Sequence, residues 1–267
     1  MTRQQLVDQT IRSGVRPLDL RFQPISHPFT RFPIAYRTST AVFSVSRGVL
    51  TEREYAYAAD FGNPTGVRLA KWNIREGLRA VRAFADAGRK IDFLSVRCPA
   101  SLAGVPDLYE QVRAILAEKD ADPAKLCLEF PQSLLYLAGR EAGDAIRALR
   151  LLGLKTLLSG CGAADCPVTQ LVHVPVDFVL LDESTTSLVH NRDKEGVLPQ
   201  FIRYLQTLHV GVYAEGVTDD EQITSLNRLD CLGVIPARTY RGNLPYAAGN
   251  LPTEEAIRQR EEAGKVE

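Results

Sequence analysis

Short apolar runs alternate with longer amphipathic stretches along most of this chain, and that alternation limits its fold more than any other feature. Runs rich in Val, Ile, Leu or Phe fall at 18–25, 34–44, 91–96, 126–129, 155–158, 178–181, 210–214 and 231–235. Such short, nearly continuous apolar runs are the signature of buried strands. Helical spacing of apolar residues marks 68–87, 108–117, 141–151, 198–208 and 221–229. In 68–87 it is carried by Leu69, Trp72, Leu78, Val81 and Phe84, with Trp72 expected in the core. Strands alternating with helices of this length predict a parallel sheet with helical crossovers. Eight strand candidates in 267 residues match a TIM-type (β/α)8 barrel, an α/β fold usually built from about 250 residues. A doubly wound open sheet is the alternative, but no Gly-rich dinucleotide fingerprint accompanies it.

Charge and composition exclude several function classes. Lys plus Arg and Asp plus Glu both number 32, so nothing favours general binding to nucleic acid or anionic membranes. The five cysteines (Cys98, Cys127, Cys161, Cys166 and Cys231) lack close paired zinc spacing, and their odd number does not suit a disulfide framework. Reduced thiols are expected, with Cys161 and Cys166 free rather than ligands or a redox pair. No apolar run is long enough to span a bilayer, and the polar start Met1-Thr2-Arg3-Gln4-Gln5 leads into no signal-peptide core. The expectation is a cytoplasmic protein that does not insert in a membrane.

Punctuation along the chain predicts its loops. Gly48, Gly62, Asn63, Pro64 and Gly66 mark loops around the second strand, and 191–196 reads as a charged connection. Residues 1–250 form one expected domain, and 251–267 a charged helix or tail beginning near Pro252. His27, His173, His190 and His209 are scattered among different elements and read as solvated or core residues. Tyr55, Tyr57 and Phe61 are expected to pack under the Gly/Pro loop.

Barrel enzymes place their chemistry at the C-terminal ends of the strands. Glu129, Asp182 and Glu215 each end or follow a strand candidate, so three carboxylates are expected to converge at the barrel mouth. Oxygen ligands gathered in this way suit Mg²⁺ or Mn²⁺, and a metal pair can clamp both oxygens of a phosphodiester in displacement.

Six segments, in order, resemble the EAL domain family of cyclic-di-GMP phosphodiesterases. They are Leu20-Arg21-Phe22-Gln23-Pro24-Ile25, Leu94-Ser95-Val96, Leu126-Cys127-Leu128-Glu129, Leu152-Gly153-Leu154-Lys155, Val174-Pro175-Val176-Asp177-Phe178-Val179 and Val212-Tyr213-Ala214-Glu215-Gly216-Val217. The resemblance implies a (β/α)8 barrel with a two-metal site, but the residues at several implied positions differ. The Glu of the namesake triplet falls on Arg37, and the metal-binding Asn on Arg97. A further acid of the family pattern falls on Gln132, and the paired aspartates that help hold the metals fall on Ser159 and Gly160. The catalytic Lys falls on Leu180, and a last acid on Thr218. A phosphate-contacting Arg falls on Ala41, and a late Gln-Gly pair near Ile235-Pro236. Glu129, Asp182 and Glu215 are retained.

Three acids with two arginines at former ligand positions do not assemble two divalent cations, because an arginine stays charged and repels them. The arginines are expected instead to pair with Glu129, Asp182 and Glu215, or else to form a new anion pocket. The expected function is a degenerate, catalytically inactive EAL-type regulator or scaffold. It would have no metal or other cofactor and would act through an unidentified protein partner. A homodimer stays open, in part because the loop at Ser159-Gly160 neighbours the dimer surface in the family. Cyclic-di-GMP is disfavoured as a ligand. A non-hydrolysing cyclic-di-GMP receptor is the first alternative, and residual phosphodiesterase chemistry with Glu215 as base is the second.

Overall fold

The computed structural model describes residues 18–44, 48–50, 64–118, 120–137, 139–191, 196–242 and 244. Nine strands occur among them: β1 (Leu18–Ser26), β2 (Pro33–Ser44), β3 (Gly48–Leu50), β4 (Leu94–Arg97), β5 (Leu126–Pro131), β6 (Lys155–Cys161), β7 (Phe178–Leu181), β8 (Gly211–Val217) and β9 (Gly233–Pro236). The helices are α1 (Pro64–Asp86), α2 (Leu108–Ala117), α3 (Gly139–Leu151), α4 (Glu183–Thr186), α5 (Val197–Thr207) and α6 (Asp220–Arg228). Strands β2 and β4 to β9 pair in parallel in chain order, and β1 bonds to both β2 and β9. Eight strands therefore close a TIM-type barrel, and β3 extends β2 as an antiparallel flap outside the ring.

The sheet departs from the parallel expectation at one strand. β1 runs antiparallel to both neighbours. The link from Ser26 to Pro33 allows a hairpin, whereas a parallel return needs a crossover of a dozen residues or more. The turn is held by His27, whose Nδ1 accepts from the Phe29 and Thr30 amides at 3.1 and 3.3 Å.

Two further expectations are corrected in the same region. Gly48 opens β3, while Pro64 and Gly66 lie in the first turn of α1, so neither group marks a loop. A proline is well suited to a helix start, where its missing N–H has no intrahelical partner to lose. The buried stripe of α1 is Leu69, Ala70, Asn73, Ile74, Gly77, Leu78 and Val81. Trp72 falls outside that stripe and is half-buried, because 100° per residue turns it away from Ile74 and Leu78. Tyr55, Tyr57, Phe61, Gly62, Asn63, residues 192–195 and the tail 251–267 lie outside the described residues.

Two-residue periodicity divides the core into two shells. Outward positions such as Leu94, Val96, Leu128, Phe130, Leu158, Val179, Leu181, Val212 and Val234 pack beneath the helices. Inward positions Ile25, Ala35, Phe93, Cys127, Leu157, Leu180, Tyr213 and Ile235 fill the barrel. Three rings plug its interior: Phe93 stacks on Phe178 at 5.4 Å, and Tyr213 meets both edge-on. One inward position further along each of several strands lies the barrel mouth. α1 sits close to the barrel wall at Gly77, where an added Cβ would stand 2.7 Å from Val96 Cγ1 and 2.8 Å from Leu126 Cδ1. Gly77→Leu is expected to push α1 off the barrel and cost about 1–3 kcal/mol or more, read as a lower urea midpoint.

Candidate functional site

Strand parity brings the site together. Arg37 lies two residues beyond inward Ala35, Ser95 and Arg97 follow inward Phe93, Glu129 follows Cys127, and Glu215 follows Tyr213. Each side chain therefore rises into the mouth above the same apolar layer. β8 reaches this height through a bulge between Glu215 and Val217, with Gly216 at φ 80°. A Cβ on Gly216 would come 2.4 Å from Glu183 Cγ, so both its backbone conformation and its neighbour require glycine.

Glu129 is the deepest charge in the mouth, 1% exposed. Arg37, itself buried, grips it: Nε donates to Oε2 at 2.8 Å and to Oε1 at 3.0 Å, and Nη2 donates to Oε1 at 2.5 Å. The remaining arm, Nη1, donates to Glu215 Oε2 at 2.6 Å. Ser95 Oγ donates to Glu129 Oε2 at 3.0 Å, and Arg97 Nε lies 3.3 Å from Oε1. Arg97 is anchored by its backbone, whose carbonyl accepts from Asn73 Nδ2 at 3.1 Å. Asn73 is held in turn by the Thr40 hydroxyl, which donates to its Oδ1 at 2.7 Å.

Two arginines and two glutamates thus meet in the mouth. Burial alone would raise the Glu129 carboxyl. The charges of Arg37 and Arg97, with the hydrogen bonds from Arg37 and Ser95, outweigh that effect and hold it at about 2.

The other expected site residues lie elsewhere or do other work. Asp182 does not join the arginines. Its Oδ1 accepts from the Ser184 amide at 2.9 Å and the Ser184 hydroxyl at 2.6 Å, capping α4. The expectation that both arginines would pair with three acids is therefore corrected to two acids. The reason is local: an Asp just before a helix finds the orphan N–H groups of its own first turn. Leu180 is buried in the apolar layer below the cluster. Ser159 Oγ donates to the Phe130 carbonyl at 3.3 Å. Gly160 follows in a second rim bulge at φ 76°. Gln132 Nε2 donates to Asp165 Oδ1 at 2.7 Å, bridging the turns after β5 and β6. Thr218 donates its amide to Gln222 Oε1 at 2.7 Å at the start of α6, away from the arginines. The adjacent Asp219 caps that helix and meets His190 Nε2 at 2.7 Å, so His190 is paired rather than merely solvated. Two contributors were not expected, Ser95 and Asn73. Ser95 shares strand parity with Arg97, and Asn73 is an amide within an otherwise apolar helical stripe, so both left a trace in the sequence.

The donor set suits a guanidinium and does not fit a pair of divalent cations. Both oxygens of Glu129 and one of Glu215 are committed to Arg37 or its neighbours, and a cation here would sit against two fixed positive charges.

The chain belongs to the EAL domain family, whose model matches residues 7–234. Among curated proteins it is 24% identical over 250 residues to an uncharacterized protein of Azorhizobium caulinodans, covering 91% of this chain and 34% of that one. It is 29% identical over 226 residues to an uncharacterized signaling protein of Caulobacter vibrioides, covering 83% of this chain and 27% of that one. It is 27% identical over 183 residues to the cyclic di-GMP phosphodiesterase NbdA of Pseudomonas aeruginosa, covering 68% and 23%. The chain thus spans about a third or less of the length of these relatives. Among solved structures, the fold matches the PaMucR phosphodiesterase in its c-di-GMP complex with a TM-score of 0.76 and 22% identity, covering 91% of this chain and 98% of that one. It matches the FimX EAL domain from Pseudomonas aeruginosa bound to c-di-GMP with a TM-score of 0.77 and 16% identity, covering 93% and 98%. The chain is thus an EAL domain related to cyclic-di-GMP phosphodiesterases.

Removing Arg37 leaves Glu129 buried with only Arg97 and Ser95. Arg37→Met is expected to destabilise the barrel by about 3–5 kcal/mol in urea unfolding, and the double variant Arg37→Met/Glu129→Met to recover much of that loss. Because Glu129 is depressed from 4.5 to about 2, its stabilisation is present above pH 4.5 and is lost as pH falls toward 2. Acid unfolding curves of Glu129→Gln should therefore lack a stability decline in that window that the parent chain shows.

Proposed function

We propose that this barrel is a catalytically inactive EAL domain that works as a regulator or scaffold through contact with another protein. One observation carries the reading: Arg37 bridges Glu129 and Glu215, the two acids retained in the mouth, where a metal site would need them open. Leu180 adds an aliphatic side chain at the position where the family resemblance implies a catalytic lysine. A general base acting without metals or that lysine would have to supply most of the barrier reduction alone.

A second reading, a receptor that binds cyclic-di-GMP without cleaving it, draws support from Arg97. Its side chain is 37% exposed at the rim, where a guanidinium could meet a phosphate. Ala41 stands where the resemblance places a phosphate-contacting arginine, which weighs against this reading.

Incubation of the purified chain with cyclic-di-GMP and Mg²⁺ or Mn²⁺ is expected to yield no linear dinucleotide by chromatography, and metal-dependent turnover would overturn the proposal. Calorimetric titration is expected to show no binding at micromolar ligand. Saturable micromolar heat without turnover would replace the scaffold by the receptor.

A further inference from the structure

The end of the barrel opposite the mouth carries a recess of about 520 Å³. It lies where α3 ends and where β6 and β7 begin, and Arg147, Arg150, Leu151, Leu154, Lys155 and Asp177 line it. Small-molecule sites span roughly 300–1,000 Å³, so the recess has room for a compact ligand. Gly153, at φ 83°, turns the chain from α3 into β6, and its amide donates to the Arg150 carbonyl at 2.9 Å. Leu151, at the end of α3, stays 80% exposed beside the cations.

Three cations line the recess against one carboxylate, and that carboxylate is already committed. Asp177 Oδ2 accepts from the Thr156 amide at 2.8 Å and from the Thr156 hydroxyl at 2.9 Å, while Oδ1 pairs with Arg150 Nε at 2.9 Å. Arg150 Nη1 donates to the Pro175 carbonyl at 3.0 Å, which fixes the guanidinium and leaves Nη2 to donate. Arg147 pairs with Asp144 outside the recess, Nη2 to Oδ1 at 2.6 Å. Arg150 also offsets the negative end of α3, whose last turn it occupies. Lys155 has no such account. Two residues before inward Leu157 on β6, it shares that parity and turns toward the barrel axis, half-buried. Among the described residues it has no carboxylate within ion-pair distance, and its Nζ stands over the Phe178 ring, 5.6 Å from the centroid. An ammonium partly withdrawn from water in this way favours an anion beside it.

We infer that this recess binds a soluble organic phosphate, with the phosphoryl group on Lys155, Arg150 and Arg147 and the apolar body against Leu151. Lysine supplies a point charge and arginine directed N–H groups, the pairing that phosphate recognition uses. Donors from three separate positions suit the three terminal oxygens of a phosphoryl group better than the two of a carboxylate. The exposed Leu151 side chain then gains cover that the chain itself does not give it. The recess and the mouth lie at opposite ends of the strands, so this binding is independent of whether the mouth binds or cleaves a nucleotide.

The test titrates the isotope-labelled full chain with phenyl phosphate and follows its backbone amide shifts by NMR. Saturable shifts are expected around Arg147, Arg150, Leu151, Lys155 and Asp177, with a Kd below about 1 mM. Lys155→Gln is expected to weaken binding by about tenfold or more. Arg147→Gln, at a side chain exposed to solvent, tests the same site without altering the barrel interior and should weaken binding by about threefold or more. Leu151→Ser should weaken phenyl phosphate by about threefold and leave inorganic phosphate unchanged. No saturable shift, or equal binding by the parent chain and both cation variants, would overturn the assignment. Shifts centred on Arg37, Arg97 and Glu129 would overturn it too, by placing the ligand in the mouth. Tighter binding of phenylacetate than of phenyl phosphate would replace the phosphate by a carboxylate. Vesicles of phosphatidylcholine with phosphatidic acid separate a lipid headgroup from a soluble phosphate: the chain is expected to stay in the supernatant, and pelleting that Lys155→Gln abolishes would overturn the soluble ligand.

Discussion

A single buried carboxylate sets the terms for the barrel mouth. Glu129 points inward because β5 alternates, and it lies above a layer of aliphatic and aromatic side chains that offers it nothing. A lone carboxylate there would carry a desolvation cost of several kcal/mol, so the structure needs a positive partner at that depth. Arg37 supplies it from β2, and Ser95 and Arg97 complete the shell from β4. The supports reach outward to α1, where Asn73 fixes the strand end that presents Arg97 and is itself fixed by Thr40. What lies at the centre thus constrains a helix outside the barrel.

Much of this was legible in the sequence, for identifiable reasons. Apolar runs at Leu126–Leu128 and Phe178–Leu181 allow little besides buried strand, and the amphipathic stretches between them supply the crossovers. Once strand parity is known, Glu129, Arg37 and Glu215 must face one another. The missed features depend on terms that periodicity does not carry. The direction of β1 is decided by the length of its link to β2. The role of Asp182 is decided by a competition between distant arginines and the N–H groups two residues away, and the nearer partner prevails at no cost in chain ordering. Trp72 looks like a core residue by type, yet its angular position on α1 places it beside the stripe. Pro64 and Gly66 look like loop punctuation, and only the geometry of a helix start shows why they can open one.

The family relationship and the site separate two things that resemblance tends to merge. Membership of the EAL family fixes the barrel, its strand order and the inward positions at its mouth. It does not fix what stands on them, since function resides in the site carried by a fold rather than in the fold itself. Here the mouth of that scaffold arrays two carboxylates around a guanidinium.

The antiparallel first strand has a consequence for how the barrel comes apart. β1 and β2 share a register from Leu18 to Ser26, whereas β1 and β9 meet through one residue pair, Ser26 opposite Val234. The ring is therefore closed by a narrow seam between strands from opposite ends of the domain. A seam with so few ladder pairs is suited to local opening, and its closure brings together segments far apart along the chain. The barrel is thus a curved sheet latched at one edge by that single pair of residues.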